Sequence, residues 1–158
     1  MLYQPVIPPN TGNVSRQCVG MDAHLHLVGP LGFELTDTQL KRAGLDYWQH
    51  LTLTVHPDDD DFLRWLGDRQ PWLVEHDGKL RYDQPCYRDE DVLIFGHEVK
   101  GLPAAWLERW RERTIYIPIL GPVRSFNLSN AAAIVLAQAS LRAGKFDRTR
   151  PGSRGEGN

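Results

Sequence analysis

Strand-like and helix-like segments take turns along this chain, and that alternation limits its possible folds more than any single motif does. HLHLVGP (24–30), LTLTV (51–55), PWLVE (71–75), DVLIFG (91–96) and TIYIPI (114–119) are short and apolar, with turn residues at several of their ends. Helical patterns fill the gaps. One runs from about Val14 to Asp22, with caps supplied from Asn10–Asn13. Another covers TDTQLKRAG (36–44), with Thr36 as N-cap, Gln39 at the capping-box position and Gly44 as a stop. HPDDDDFLRWLG (56–67) starts a third, its aspartates near the positive helix end. PAAWLERW (103–110) has proline near its first turn, and NLSNAAAIVLAQASLRAG (127–144) is the longest. Strands alternating with helices predict an α/β fold, a mainly parallel sheet with helices on both faces. Ligands are then expected beyond the C-terminal strand ends. Residues 1–145 are expected to form a single domain, and the polar, Gly-rich 146–158 a disordered tail.

With 158 residues, such a domain can bury a core without a metal or disulfide staple. Cys18 and Cys86 are too far apart in sequence for a CxxC pair, so neither a zinc site nor a disulfide framework is suggested. No apolar run reaches membrane-spanning length and the N-terminus lacks a signal pattern, so a cytoplasmic protein with no membrane partner is expected. A net charge of −2 argues against a strongly basic nucleic-acid binder. Its distribution is uneven: residues 1–79 carry 6 basic and 11 acidic side chains, and residues 80–158 carry 12 and 9. Arginine outnumbers lysine 14 to 4, and arginine suits phosphate forks and base stacking. An RNA-facing surface in the C-terminal half is thus permitted, and scattered solvated arginines fit equally well.

Three turns carry unusual polar residues. In the first, Asn13 and Arg16 share one helix face, which also describes an ordinary capped helix with a surface arginine. In the second, a buried strand breaks at Gly96, Glu98 follows, and Gly101 leads into a helix at Pro103. Its glycine spacing is that of a P-loop, but Leu102 and Pro103 stand where Lys and Ser/Thr would grip phosphate. Two glycines here suit a close backbone approach to a flat ligand; a plain turn would place Glu98 near the Pro103 helix. In the third, Ser125, Asn127, Ser129 and Asn130 crowd one helix start, more than capping alone needs. His24 and His26 share a strand face without a third metal ligand, and no metal is expected there or at Asp58–Asp61. Neither a Gly-x-Ser-x-Gly elbow nor a Gly-x-Gly-x-x-Gly turn is present.

Taken in order, IPPNTGNVSR (7–16), GHEVKGLP (96–103) and VRSFNLSNAAA (123–133) resemble the three motifs of the SPOUT superfamily of RNA methyltransferases. More narrowly the chain resembles the tRNA wobble-position (cytidine/uridine) ribose 2′-O-methyltransferases, and PLGFELTDTQLKRAGLDYW (30–48) is similar to that group's segment between motifs. The likeness covers about residues 3–145. It implies a C-terminal deep trefoil knot, S-adenosylmethionine as cofactor, a homodimer with each site near the interface, and the tRNA anticodon loop as partner. It also implies Arg16 as the catalytic group, positioned by Asn13 and Glu98. The cofactor pocket would draw on Val74, Gly96, Ile117 and Ser125, with Asn127 and Asn130 bracing knot and substrate. Arg124, Arg142 and Arg148 are candidate RNA contacts. Two departures stand out. Only Met1, Leu2 and Tyr3 precede the Gln-Pro pair, which predicts a shortened first strand or a start assigned late. VEHDGK (74–79) replaces a more threonine- and lysine-rich turn. The rival expectations are 2′-O-methylation of another RNA, ribosomal or at another tRNA position, and a non-catalytic RNA-binding homologue.

Overall fold

The structure, a computed structural model, describes residues 1–35 and 46–148. The helix expected over 36–44 and the chain from Thr149 onward lie outside the described residues. Seven strands are formed: β1 (Leu2–Tyr3), β2 (Leu25–Val28), β3 (Leu53–His56), β4 (Trp72–Val74), β5 (Leu80–Arg81), β6 (Leu93–Phe95) and β7 (Thr114–Tyr116). They make one sheet in the order β3-β2-β1-β6-β4-β7-β5, with every pair parallel. The helices are α1 (Pro8–Gly20), α2 (Asp59–Leu66), α3 (Ala104–Arg109) and α4 (Leu128–Arg142).

A parallel sheet must be covered on both sides, and the core divides accordingly. Leu2, Leu25, Leu27, Trp72, Phe95 and Ile115 pack with Val14 and Cys18 of α1 and with Ala132, Val135 and Ala139 of α4. Their neighbours in sequence, Met1, Val28, Leu73 and Ile94, turn the other way. They meet Phe62 and Leu66 of α2 and Trp106 of α3. The two-residue alternation of strand side chains is what separates these layers.

Two short strands differ from expectation. β1 comprises only Leu2–Tyr3, and it sits mid-sheet between β2 and β6. β5 was not anticipated; it extends the edge beyond β7. The first helix also begins earlier than its pattern suggested. Pro8 and Pro9 form its first turn, where a missing N–H costs nothing, so Asn10–Asn13 lie inside the helix instead of capping it. At α2 the aspartates do lie at the helix start, and Asp58 caps it by accepting a hydrogen bond from the Asp61 N–H at 2.8 Å.

His26 lies within β2, and His24, just before the strand, has its Nε2 2.9 Å from Thr54 Oγ1. His26 is buried against the Trp65 ring, with centroids 3.9 Å apart, and its Nδ1 lies 2.9 Å from His56 Nε2. His56 Nδ1 in turn lies 2.8 Å from Asp61 Oδ2, so the chain of contacts ties β2, β3 and α2 together. Burial first, then the neighbouring His24, pushes His26 down to about 3 from its ordinary 6.5. The unfolded chain therefore binds a proton at this residue that the folded chain refuses. Its contribution to stability is intact above pH 6.5 and is lost as pH falls toward 3, with a slope of up to about 1.4 kcal/mol per pH unit. Urea denaturation at pH 7.5, 6 and 5 should show this loss, and His26→Phe should flatten it; equal slopes in both proteins would remove the assignment.

Candidate functional site

The strands β6, β4 and β7 lie side by side and parallel, so their C-terminal ends open onto one edge. A cavity of about 960 Å³ lies there, large enough for a cofactor-sized ligand. Val74, Phe95 and Ile117 form apolar wall at the strand ends, joined by Ile119 and by Leu128 and Ala131 of α4. Glu75, His76, Gly96–Gly101 and Arg124–Asn127 complete the lining, together with Ile7 and Asn10.

The loop after β6 closes on itself. His97 and Gly101 exchange backbone hydrogen bonds of 3.1 and 2.9 Å, and Gly101 adopts φ +71°, which favours glycine. A Cβ on Gly96 would fall 2.7 Å from the Gly101 carbonyl carbon, so only glycine fits beneath that closure. His97 Nδ1 accepts from the Val99 N–H at 3.0 Å, and the turn carries Glu98 outward to α1.

There Glu98 serves as the cap that α1 lacks from its own residues. One carboxylate oxygen accepts the Val6 N–H at 3.0 Å; the other accepts the Ile7 N–H at 3.2 Å and Asn10 Nδ2 at 3.4 Å. The plain-turn alternative, with Glu98 beside the helix beginning after Pro103, is therefore not the arrangement formed. Desolvation raises its pKa, but the donors from Val6, Asn10 and Ile7 outweigh it and hold the carboxyl below its ordinary value.

The network continues from Asn10, which is buried. Its Oδ1 accepts from Asn127 Nδ2 at 2.9 Å. Asn127 Oδ1 accepts from both the N–H (2.9 Å) and the hydroxyl (2.7 Å) of Ser129 at the start of α4. Every donor in this series points toward the Glu98 anion, an arrangement in which each bond polarises the next. Asn13 Nδ2 reaches Ser129 Oγ at 3.5 Å, and Gln17 Nε2 donates to the Ser129 carbonyl at 3.0 Å.

Of the residues expected from sequence, the cavity thus gathers Val74, Gly96, Glu98, Ile117, Arg124, Ser125 and Asn127. Asn13, Arg16 and Asn130 are exposed and fall outside its lining. Arg16 stands on the outer face of α1, its guanidinium carbon 5.3 Å from the centre of the Tyr47 ring. The Tyr47 hydroxyl donates to the Gly12 carbonyl at 2.9 Å. Arg142, in the last turn of α4, donates to the Asp83 carbonyl at 3.1 Å, at the helix end remote from Asn127. Arg148 closes a short 3-10 turn, Phe146–Arg148. Glu75, His76 and Asp77 bring possible cation-binding atoms within 4.8 Å of one another.

Asn10 is the residue that sequence reasoning passed over. It reads as one more cap in an Asn-Thr-Gly-Asn cluster, and the signal that could have singled it out is its place directly after a proline pair that already begins the helix. Asn10→Ala removes the link between Glu98 and Asn127 and leaves the Asn127 amide without its partner. Thermal or chemical denaturation should register a loss of about 1–3 kcal/mol. A variant as stable as the wild type would show the link to be idle.

Comparison with known proteins bears on the same segments. The model of the SpoU rRNA Methylase family matches residues 1–137. A tRNA (cytidine(34)-2′-O)-methyltransferase of Methylovorus glucosotrophus is 41% identical over 140 residues, covering 88% of this chain and 91% of its own. A solved structure described as giving insights into 2′-OH methylation of C/U34 on tRNA superposes with a TM-score of 0.84 at 40% identity, covering 91% of this chain and 94% of its own. An AdoMet-bound rRNA methyltransferase from Sinorhizobium meliloti superposes with a TM-score of 0.78 at 26% identity, over 89% of this chain and 54% of its own. The family match spans both the first-helix segment that meets Glu98 and the α4 start that carries Asn127, and this chain belongs to the SpoU rRNA Methylase family.

Proposed function

We propose that this protein methylates the ribose 2′-hydroxyl of the wobble nucleotide, position 34, in tRNA, with S-adenosylmethionine as methyl donor. The observation that carries the reading is the union, around one cavity, of the three segments bearing Asn10, Glu98 and Asn127. The wobble assignment rests on relatives named for that reaction, which match nearly the full length of the chain. The cavity suits the donor chemically. Its apolar wall of Val74, Phe95, Ile117 and Ile119 can take a flat aromatic ring, and the absence of side chains at Gly96 and Gly101 lets the loop after β6 close into the tight turn that borders it. Ser125 and Asn127 supply polar contacts at its rim. When bound, the cofactor supplies a methyl group already activated on a sulfonium, so the protein's work is alignment and charge control.

Arg16 is the group we assign to the ribose. Arginine does not lose its proton in proteins, so its role is to orient the hydroxyl and stabilise the developing alkoxide, with the proton leaving to phosphate or water. Glu98 acts by fixing the N-terminal turn of α1, and Asn13 shares the exposed helix face that presents Arg16. Asn127 and Asn130 brace the α4 start. Because Arg16 does not line the cavity of its own chain, we assign the active form as a homodimer in which Arg16 faces the neighbouring subunit's cavity. Exposed apolar side chains around the rim, Leu120, Val123 and Phe126, fit a surface of that kind. The C-terminal trefoil knot, the single domain over 1–145 and a cytoplasmic setting belong to the same proposal; among the described residues no helix is long and apolar enough to cross a membrane. Arg124 at the rim is placed on an anticodon-loop phosphate, with Arg142 and Arg148 as more distant RNA contacts.

Incubating unmodified tRNA with methyl-labelled S-adenosylmethionine and digesting it to nucleosides should yield labelled 2′-O-methylcytidine or a 2′-O-methyluridine derivative, located at position 34. Label found only in ribosomal RNA, or at another tRNA position, would replace the wobble assignment. Arg16→Ala should lower transfer by about 100-fold or more while cofactor affinity, read by calorimetry, stays within a few-fold. A fully active Arg16→Ala protein would refute its role.

A further inference from the structure

Two carboxylates, Glu75 and Glu98, line the cavity among the described residues, and their surroundings are opposite. Glu98 is committed to Val6, Ile7 and Asn10. Glu75 directly follows β4, at the seam where three strand ends meet. Its backbone N–H is pinned to the Ile115 carbonyl at 2.9 Å, and its side chain is only 16% exposed. Oε1 lies 3.8 Å from the position a Cβ on Gly101 would take, so the carboxylate lies against the closed glycine turn. Its compensation is slight: the His76 imidazole 3.9 Å away, itself largely exposed, and the nearby Leu102 backbone. Burial accordingly raises its pKa, and those two neighbours offset only part of the rise. A carboxylate held out of water without a full partner favours a cation placed nearby.

Methyl transfer changes the charge of the ligand in this cavity. A lone pair of the ribose oxygen forms the new O–C bond as the S–C bond breaks, and the breaking bond's electron pair stays on sulfur. The hydroxyl proton goes to solvent or phosphate, and the sulfonium becomes a neutral thioether. We infer that Glu75 is the charge selector of the donor site, attracting the cationic sulfonium donor and losing that attraction for the neutral product. The inference rests on the methyl donor proposed above and assigns to Glu75 a role in donor preference and product release.

Calorimetry on the full chain with S-adenosylmethionine and S-adenosylhomocysteine tests it. The wild type should prefer the donor. Glu75→Gln should weaken donor binding by about tenfold or more, between the roughly fivefold and roughly thousandfold that one close pair of unit charges gives in water and near a protein surface, and leave product binding within about twofold. Glu75→Asp, which keeps the charge, should retain most of the preference, and Glu75→Thr provides the same comparison as Glu75→Gln should that variant not fold. Parallel loss of both ligands would mark a merely structural residue and overturn the inference, as would a wild type that binds the product as tightly as the donor. A wild type that binds neither would overturn the donor reading itself, and the selector with it.

Discussion

The contact on which the rest of the site depends is a carboxylate set at the positive end of a helix that lies more than ninety residues earlier in the chain. Glu98 meets the unsatisfied N–H groups at the start of α1, where partial positive charge accumulates and an anion is stabilised. Proline at the first two helical positions removes two donors that would otherwise need partners. What remains is a small set of donors converging on one anion, and through Asn10 the same anion fixes the Asn127 amide at the mouth of α4. It joins the Gln17–Ser129 hydrogen bond and the shared core in fixing the helix that carries Arg16 against the segment that carries Asn127.

Parallel pairing decides where this convergence can occur. Strands that all run one way put all their exits on one edge, and the loops that follow β4, β6 and β7 have no other place to meet. The opposite edge, where Leu25 and Leu93 begin their strands, receives the returning crossovers and holds a smaller cavity of about 440 Å³ beside His24, His26 and Cys18. The fold therefore separates the buried His26–His56 contact from the edge with the glycine turn and the two glutamates.

Much of the architecture was legible in the sequence because its signals are local. Apolar runs such as DVLIFG and the aspartate-led helix start in HPDDDDFLRWLG depend on neighbours within a few residues, and they formed where expected. β1 and β5 were hard to read because two residues carry no period; they exist through pairing with strands distant in sequence. The site divides in the same way. Gly96 announces itself as a break in a buried run, and Asn127 as a cap, but the partnership of Glu98 with α1 crosses the whole chain and leaves no local trace. Asn10 was hidden for that reason: its carbonyl and amide serve Asn127 and Glu98, neither of them nearby in sequence. Arg16 was singled out by resemblance alone, and nothing in its own surroundings, an exposed helix face over Tyr47, marks it as chemical.

The walls of the larger cavity come from stretches near residues 7–10, 74–76, 95–101 and 117–131, one from each quarter of the molecule's framework. No contiguous fragment owns it. An intermediate that has paired only some strands offers the ligand nothing to hold, so binding is coupled to completion of the whole sheet. The cellular supply of a ligand that fills this space then acts as a ballast on the native state: when it is plentiful the chain's folded population grows, and when it is scarce the same polypeptide is more readily lost to proteolysis.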